Sequence, residues 1–153
     1  SLLPDNYYSK ITVHGHFYLK DEYNLAGIHI DDPAQRPPVG YKGNIGCTCA
    51  DLGTLKEMKR QYSYVFLDNT FKPVHGQRSF NLNELEEASR RGLIDKKVFA
   101  FGGVSIDNIM LAKDLGFGGA VIDSDLWNCF DIHNQSDFKG LLSHFEKLRK
   151  LAY

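Results

Sequence analysis

The chain has 153 residues, a formal net charge of −1 at pH 7, 42% hydrophobic and 24% charged side chains. This suits one globular domain, 1–153, and offers no basic field for nucleic acid or an anionic membrane. No run approaches the roughly 18 consecutive apolar residues of a membrane-spanning helix, and the opening "SLLPDNYYSK" lacks the pattern of a signal peptide.

Six short apolar runs are predicted as strands: 10–14, 27–30, 44–49, 64–67, 98–103 and 119–123. Each is rich in Val, Ile or Phe and bounded by Gly, Asp or Asn. Their nearly continuous apolar character predicts strands covered on both faces, hence a parallel sheet. The 31–43 segment holds three prolines and reads as a loop. Cys47 and Cys49 alternate on the third run, and Cys129 stands alone. They read as buried or half-buried thiols of a reducing cytoplasm, because no further ligands follow at zinc-site spacing.

Helical spacing appears at 51–62, with Asp51 as N-cap, and at 81–92, which begins at Asn81 and closes at Gly92. A long polar loop, 68–80, separates the fourth run from the second of these helices. Such a loop after a strand is a frequent place for a binding loop or lid. A third helix is predicted over 105–116, capped by Ser105 and Gly116. A fourth covers 136–151, with Phe138, Leu141, Leu142, Phe145, Leu148 and Leu151 on one stripe.

Repeated βα units predict an α/β fold, either a doubly wound sheet or part of an eight-stranded barrel. A complete (β/α)8 barrel takes roughly 200 residues or more, so the chain is expected to lack part of one. An edge strand at 10–14 would then invite pairing, and a longer natural chain or a homodimer is expected to cover it.

The fifth run ends in Gly102-Gly103, followed by Ser105. Gly118-Gly119 enter the sixth, which is followed by Ser124-Asp125. Glycine permits positive φ and close approach of a ligand to the backbone. Free N–H groups at a following helix start make an anion nest. In (β/α)8 barrels the loops after strands seven and eight frequently hold phosphate. Gly102, Gly103, Ser124 and Asp125 are therefore candidate phosphate-binding residues, against the alternative that the glycines only make tight turns.

Further polar groups gather at the expected strand ends. His14 and His16 fall on one side of a strand by alternation. With His29 they suggest either a metal site or polar pocket lining, although no further ligand is evident. Asp31-Asp32 could hold magnesium or cap a turn before Pro33. Asp68-Asn69 follow "YVFL", where Asp68 could act as general acid or base. His75 in the long loop could swing over a pocket.

"YSYVFLDNTF" (62–71), "VFAFGGVSIDNI" (98–109) and "LGFGGAVIDSDLW" (115–127) resemble segments of the thiamine phosphate synthase family, including its TenI-type thiazole tautomerase branch. Upstream, 11–30 and "IGCTCADLGTL" (45–55) resemble its third-to-fourth-strand and fifth-strand segments. The resemblance runs from about residue 10 to 150 and implies a (β/α)8 barrel lacking its first two βα units.

It implies coupling of a hydroxymethylpyrimidine pyrophosphate to a thiazole phosphate with Mg2+, or proton movement on a thiazole carboxylate phosphate in the tautomerase branch. Gly102, Gly103 and Ser124 fall where the family binds the thiazole phosphate, and Thr48 at its fifth-strand serine. The catalytic candidates are Asp68, Asn69 and His14; Thr48 and His75 are candidates for substrate contact. The chain departs from the family pattern in several places. His14-Gly15 stand for an Asn-Asp pair, Asn69 for the tautomerase histidine, and Ala50 for a common histidine. No lysine lies between Pro73 and Gly76. A non-catalytic binder of thiazole or thiamine phosphate is the rival reading, and a histidine-metal hydrolase a third.

Overall fold

The computed structural model describes residues 3–72, 78–128 and 138–153. Among them six strands follow one another in sheet order as in the chain: β1 (Thr12–His14), β2 (Gly27–Ile30), β3 (Asn44–Cys49), β4 (Tyr64–Leu67), β5 (Val98–Ala100) and β6 (Gly119–Ala120). The pairs β1–β2, β2–β3 and β5–β6 are parallel. The helices are α1 (Tyr18–Glu22), α2 (Leu52–Gln61), α3 (Leu82–Arg90), α4 (Ile109–Asp114), α5 (Ser124–Trp127) and α6 (Phe138–Ala152). The chain divides into two compact units, Ser1–Val65 and Phe66–Tyr153.

In the first unit a 3-10 helix, Asp5–Lys10, precedes β1, which is shorter than the expected 10–14. The five-residue α1 was not expected, being too short to show a helical period. The proline-rich segment 31–43 is irregular, as expected. Ile28 and Ile30 of β2, Cys47 and Cys49 of β3, and Leu55 and Met58 of α2 are buried. Asp51 caps α2, its carboxylate accepting from Gly53 N–H at 2.9 Å. The Cys47 thiol is pushed up to about 11, chiefly by burial, which leaves it an apolar packing group at neutral pH. Among the described residues no helix is long and apolar enough to cross a membrane.

In the second unit α3 opens with a capping box. The Asn81 side chain accepts from Glu84 N–H, and Glu84 accepts in turn from Asn81 N–H. Leu85 and Ala88 of α3, Val98 and Ala100 of β5, and Ile109 and Ala112 of α4 are buried. α4 begins at Ile109, with Asn108 and not Ser105 at its N-cap. The Asn108 side chain explains the delay. Its Oδ1 accepts from Ser105 N–H at 2.8 Å and its Nδ2 donates to Gly103 O at 2.8 Å, which holds 105–108 as a turn.

Cover on both faces holds for β2, while β1 and β6 have no buried residue and β4 and β5 are buried on one face. In β4 and β5 burial alternates, and Tyr64, Phe66 and Phe99 are half-buried. Large aromatic rings on one face read as continuous hydrophobicity in the sequence, although only the residues of the opposite face are buried.

The expected stripe of α6 also divides. Leu148 is 2% exposed, whereas Leu142 and Phe145 are exposed. α6 is tied to its neighbours by polar contacts. His144 Nε2 meets Asp125 Oδ2 of α5 at 2.7 Å, with 18% and 23% of the side chains exposed, and Lys113 Nζ of α4 donates to Tyr153 O at 3.1 Å. Partial burial makes the first contact stronger than an open surface pair. His144→Leu is expected to lower unfolding free energy by about 1–2 kcal/mol, read from urea melts, with His144→Gln recovering about half.

Candidate functional site

The second unit contains the site built on the glycine pair. After β5 the chain passes through Phe101 into Gly102 and Gly103, at φ +94° and +69°. The loop after β4 folds back over this turn. Thr70 N–H donates to Phe101 O at 2.9 Å, and Phe71 and Lys72 N–H donate to Gly102 O at 3.1 and 3.2 Å. A Cβ at Gly102 would stand 2.9 Å from Asn69 N, and one at Gly103 2.3 Å from Lys72 Cβ. Both positions thus require glycine for the turn and for the close approach of the loop. The turn-making role is real, and it builds a cleft.

That cleft has a volume of about 270 Å3 and is lined by Lys72, Phe101, Gly102, Gly103, Val104, Val121, Asp123 and Ser124. It brings together three of the four expected phosphate residues. The fourth, Asp125, is not in the lining, and its carboxylate is engaged by His144. The Ser105 N–H expected to face an anion instead donates to Asn108. Lys72 and Asp123 escaped the sequence reading. The available signal for Lys72 was a cation in a polar loop, five residues after a strand-like run.

Asp68 and Asn69 shape the loop that carries Lys72. Asn69 is 2% exposed and lies at φ +56°. Its N–H donates to Asp68 Oδ1 at 2.7 Å and its carbonyl accepts from Phe80 N–H. Thr70, fully buried, donates to Leu67 O at 2.6 Å. His75 lies outside the described residues, as does Cys129.

The first unit holds a separate polar cluster. His14 Nε2 meets Asp31 Oδ2 at 2.6 Å, with both side chains mostly exposed. His29, opposite His14 in the parallel register, is 5% exposed. Its Nε2 lies 2.8 Å from Thr48 Oγ1 and its Nδ1 3.3 Å from Tyr64 OH, and its ring stacks on Tyr64. Burial, and then the nearby His14 charge, lower the His29 pKa from 6.5 to about 4, while Asp31 opposes the shift. His29 is therefore a neutral hydrogen-bonding group at physiological pH.

His16 sits at φ +46° with its ring edge-on to Tyr18. Asp32 Oδ1 accepts from Ala34 N–H, the turn-capping role expected before Pro33. Among the described residues no three His, Cys, Asp or Glu side chains form a group that could hold a metal ion. The histidine-metal reading thus finds no support in His14, His16 and His29.

No protein-family model matches the chain, and no curated protein does. Solved structures do match. A thiamine phosphate pyrophosphorylase from Bacteroides thetaiotaomicron is 41% identical, with 99% of this chain and 74% of that chain covered and a TM-score of 0.87. A thiamine phosphate pyrophosphorylase from Pyrococcus furiosus is 18% identical over 98% of this chain and 78% of that one, with a TM-score of 0.69. A 3-hexulose-6-phosphate synthase, 13% identical over 93% and 61%, has a TM-score of 0.52. The last two speak for the fold alone.

Proposed function

Because the chain belongs to the thiamine phosphate pyrophosphorylase family, and so carries a thiamine-biosynthesis-like function, we propose that it is a transferase of the thiamine phosphate synthase type. The reaction would join the pyrimidine methylene of a hydroxymethylpyrimidine pyrophosphate to the ring nitrogen of a thiazole phosphate, breaking the C–O bond to the diphosphate and releasing pyrophosphate. A (β/α)8-type barrel, a cytoplasmic setting and a possible homodimer belong to the same reading. The observation that carries it is the cleft over Gly102-Gly103, with Lys72 and Ser124 in its lining.

In this reading the Ser124 hydroxyl and the Lys72 ammonium hold the phosphate, and the glycines let it approach the backbone. Phe101 and Val121 supply an apolar wall for the ring. Holding the phosphate fixes the ring in line for displacement, which is where positioning lowers the barrier. Asp68 and Asn69 would act by fixing the loop that bears Lys72.

The resemblance also implies magnesium. Asp31 meets His14 and Asp32 accepts from Ala34 N–H, each through one carboxylate oxygen. Among the described residues no three His, Cys, Asp or Glu side chains group to hold the ion, and no step is assigned to it.

A second reading has its own observation. Asp31 Oδ2 lies 2.6 Å from His14 Nε2 and orients the imidazole. That arrangement favours the proton-moving, tautomerase-type alternative.

Calorimetric titration with thiamine phosphate tests the site. Saturable binding is expected, weakened at least about tenfold by Ser124→Asp, which sets a carboxylate against the phosphate. Unaltered binding by that variant would remove the cleft assignment. Binding without turnover, on a chain with both substrates supplied, would favour the non-catalytic reading.

A further inference from the structure

Ser124 lines the cleft and stands between two acids in the chain, Asp123 and Asp125. A carboxylate close to a bound anion opposes it, because like charges repel. The two acids differ in how far water quenches them. Asp123 is an exposed residue of the lining, and solvent screens its charge. The Asp125 side chain is only 23% exposed. A charge so placed acts through protein more than through water, and its field reaches further. Next to Ser124 in the chain, Asp125 is the acid that most needs a partner.

A second helix supplies that partner. His144 Nε2 of α6 lies 2.7 Å from Asp125 Oδ2, and the His144 side chain is 18% exposed. The carboxylate is thus directed toward α6, and Asp125 does not line the cleft.

Neither helix depends on this contact alone. α6 buries Leu148, and Lys113 Nζ of α4 donates to Tyr153 O at 3.1 Å. In α5 the Ser124 carbonyl accepts from Asn128 N–H at 2.8 Å, and the Asp123 carbonyl from Trp127 N–H at 3.1 Å. Both helices have other anchors, so the distinct effect of the imidazole falls on the carboxylate.

We propose that His144 is a positioning residue for the cleft: it holds the Asp125 carboxylate against α6 and shields the anion received by Ser124 from that charge. The inference rests on the reading of the cleft as a phosphate site. It adds to that site a residue of α6 that is not in the lining. His144 acts through Asp125, so removing the carboxylate should make the histidine dispensable. A histidine that only braced the fold would show no such dependence.

The test is calorimetry on the full chain with inorganic phosphate and with thiamine phosphate, at pH 7 and fixed ionic strength, with melting curves confirming folding. His144→Leu is expected to weaken both ligands about fivefold, the scale of one partly screened charge. His144→Gln keeps a donor for the carboxylate and should weaken them only about twofold. Asp125→Asn alone should weaken neither. The double variant, His144→Leu with Asp125→Asn, should return to within about twofold of wild type. Should His144→Leu melt early, Asp125→Asn alone still decides. Losing the contact weakens binding if its role is bracing, and does not if its role is shielding.

Equal weakening in His144→Leu and the double variant overturns the inference and leaves the phosphate cleft standing. Unaltered binding by His144→Leu does the same. Folded wild type that binds neither ligand overturns both this inference and the proposed function.

Discussion

Replacing Gly103 by valine is expected to abolish phosphate binding and to lower unfolding free energy by about 3–4 kcal/mol. Two physical effects combine. Gly103 lies at φ +69°, a region a β-branched residue enters only under strain, costing about 1–3 kcal/mol. The new Cβ would also stand 2.3 Å from Lys72 Cβ and 2.9 Å from Lys72 N. The second contact is to backbone, so the loop after β4 must move and carry Lys72 out of the cleft. Gly40→Val is the control, because Gly40 has φ +77° but nothing within 4 Å of its would-be Cβ. It should cost only the conformational strain and leave phosphate titrations unchanged. Equal losses in the two variants would show that packing against Lys72 adds nothing.

Acid is expected to destabilise the protein through His29, and the sign follows from its depressed pKa. Above pH 6.5 both folded and unfolded chains carry neutral His29. Below 6.5 the unfolded chain takes up a proton while the folded chain, with a pKa of about 4, does not. Stability therefore falls as pH drops from 6.5 to about 4 and levels off below. Allowing for solvent screening, the loss is about 2 kcal/mol. Urea melts at pH 7 and pH 4.5 measure it. His29→Gln should reduce the difference by most of that amount, and an unchanged pH dependence in the variant would refute the assignment.

What the sequence disclosed depended on how local the determining interaction is. Asp51 and Asn81 were legible as caps because each cap is settled within three residues. Ser105 and Asn108 are both competent caps, and the choice between them turns on the Gly103 carbonyl, which the Asn108 side chain reaches. The cleft was legible in part. Glycine pairs at strand ends pointed to Gly102, Gly103 and Ser124, but Lys72 enters only because the preceding loop folds back by backbone hydrogen bonds. The His144–Asp125 contact joins residues 19 apart in sequence and left no periodic trace. Helical spacing grouped Leu142, Phe145 and Leu148 on one side of α6, yet spacing cannot say what covers a side, and only Leu148 among these is buried.

The two glycines that face aromatic rings across the sheet carry a last consequence. A Cβ at Gly46 would stand 2.0 Å from Tyr64 Cζ, and one at Gly119 2.4 Å from Phe99 Cδ1. In each pair a vacant position on one strand houses a ring from its neighbour, so volume is shared between two sites. Neither partner can drift alone. A larger residue at 46 evicts Tyr64, and with it the ring on which His29 stacks. A smaller residue at 64 leaves a void that Gly46 cannot fill. Inheritance at these positions must therefore proceed in coupled steps, so the histidine environment is guarded by a residue that has no side chain.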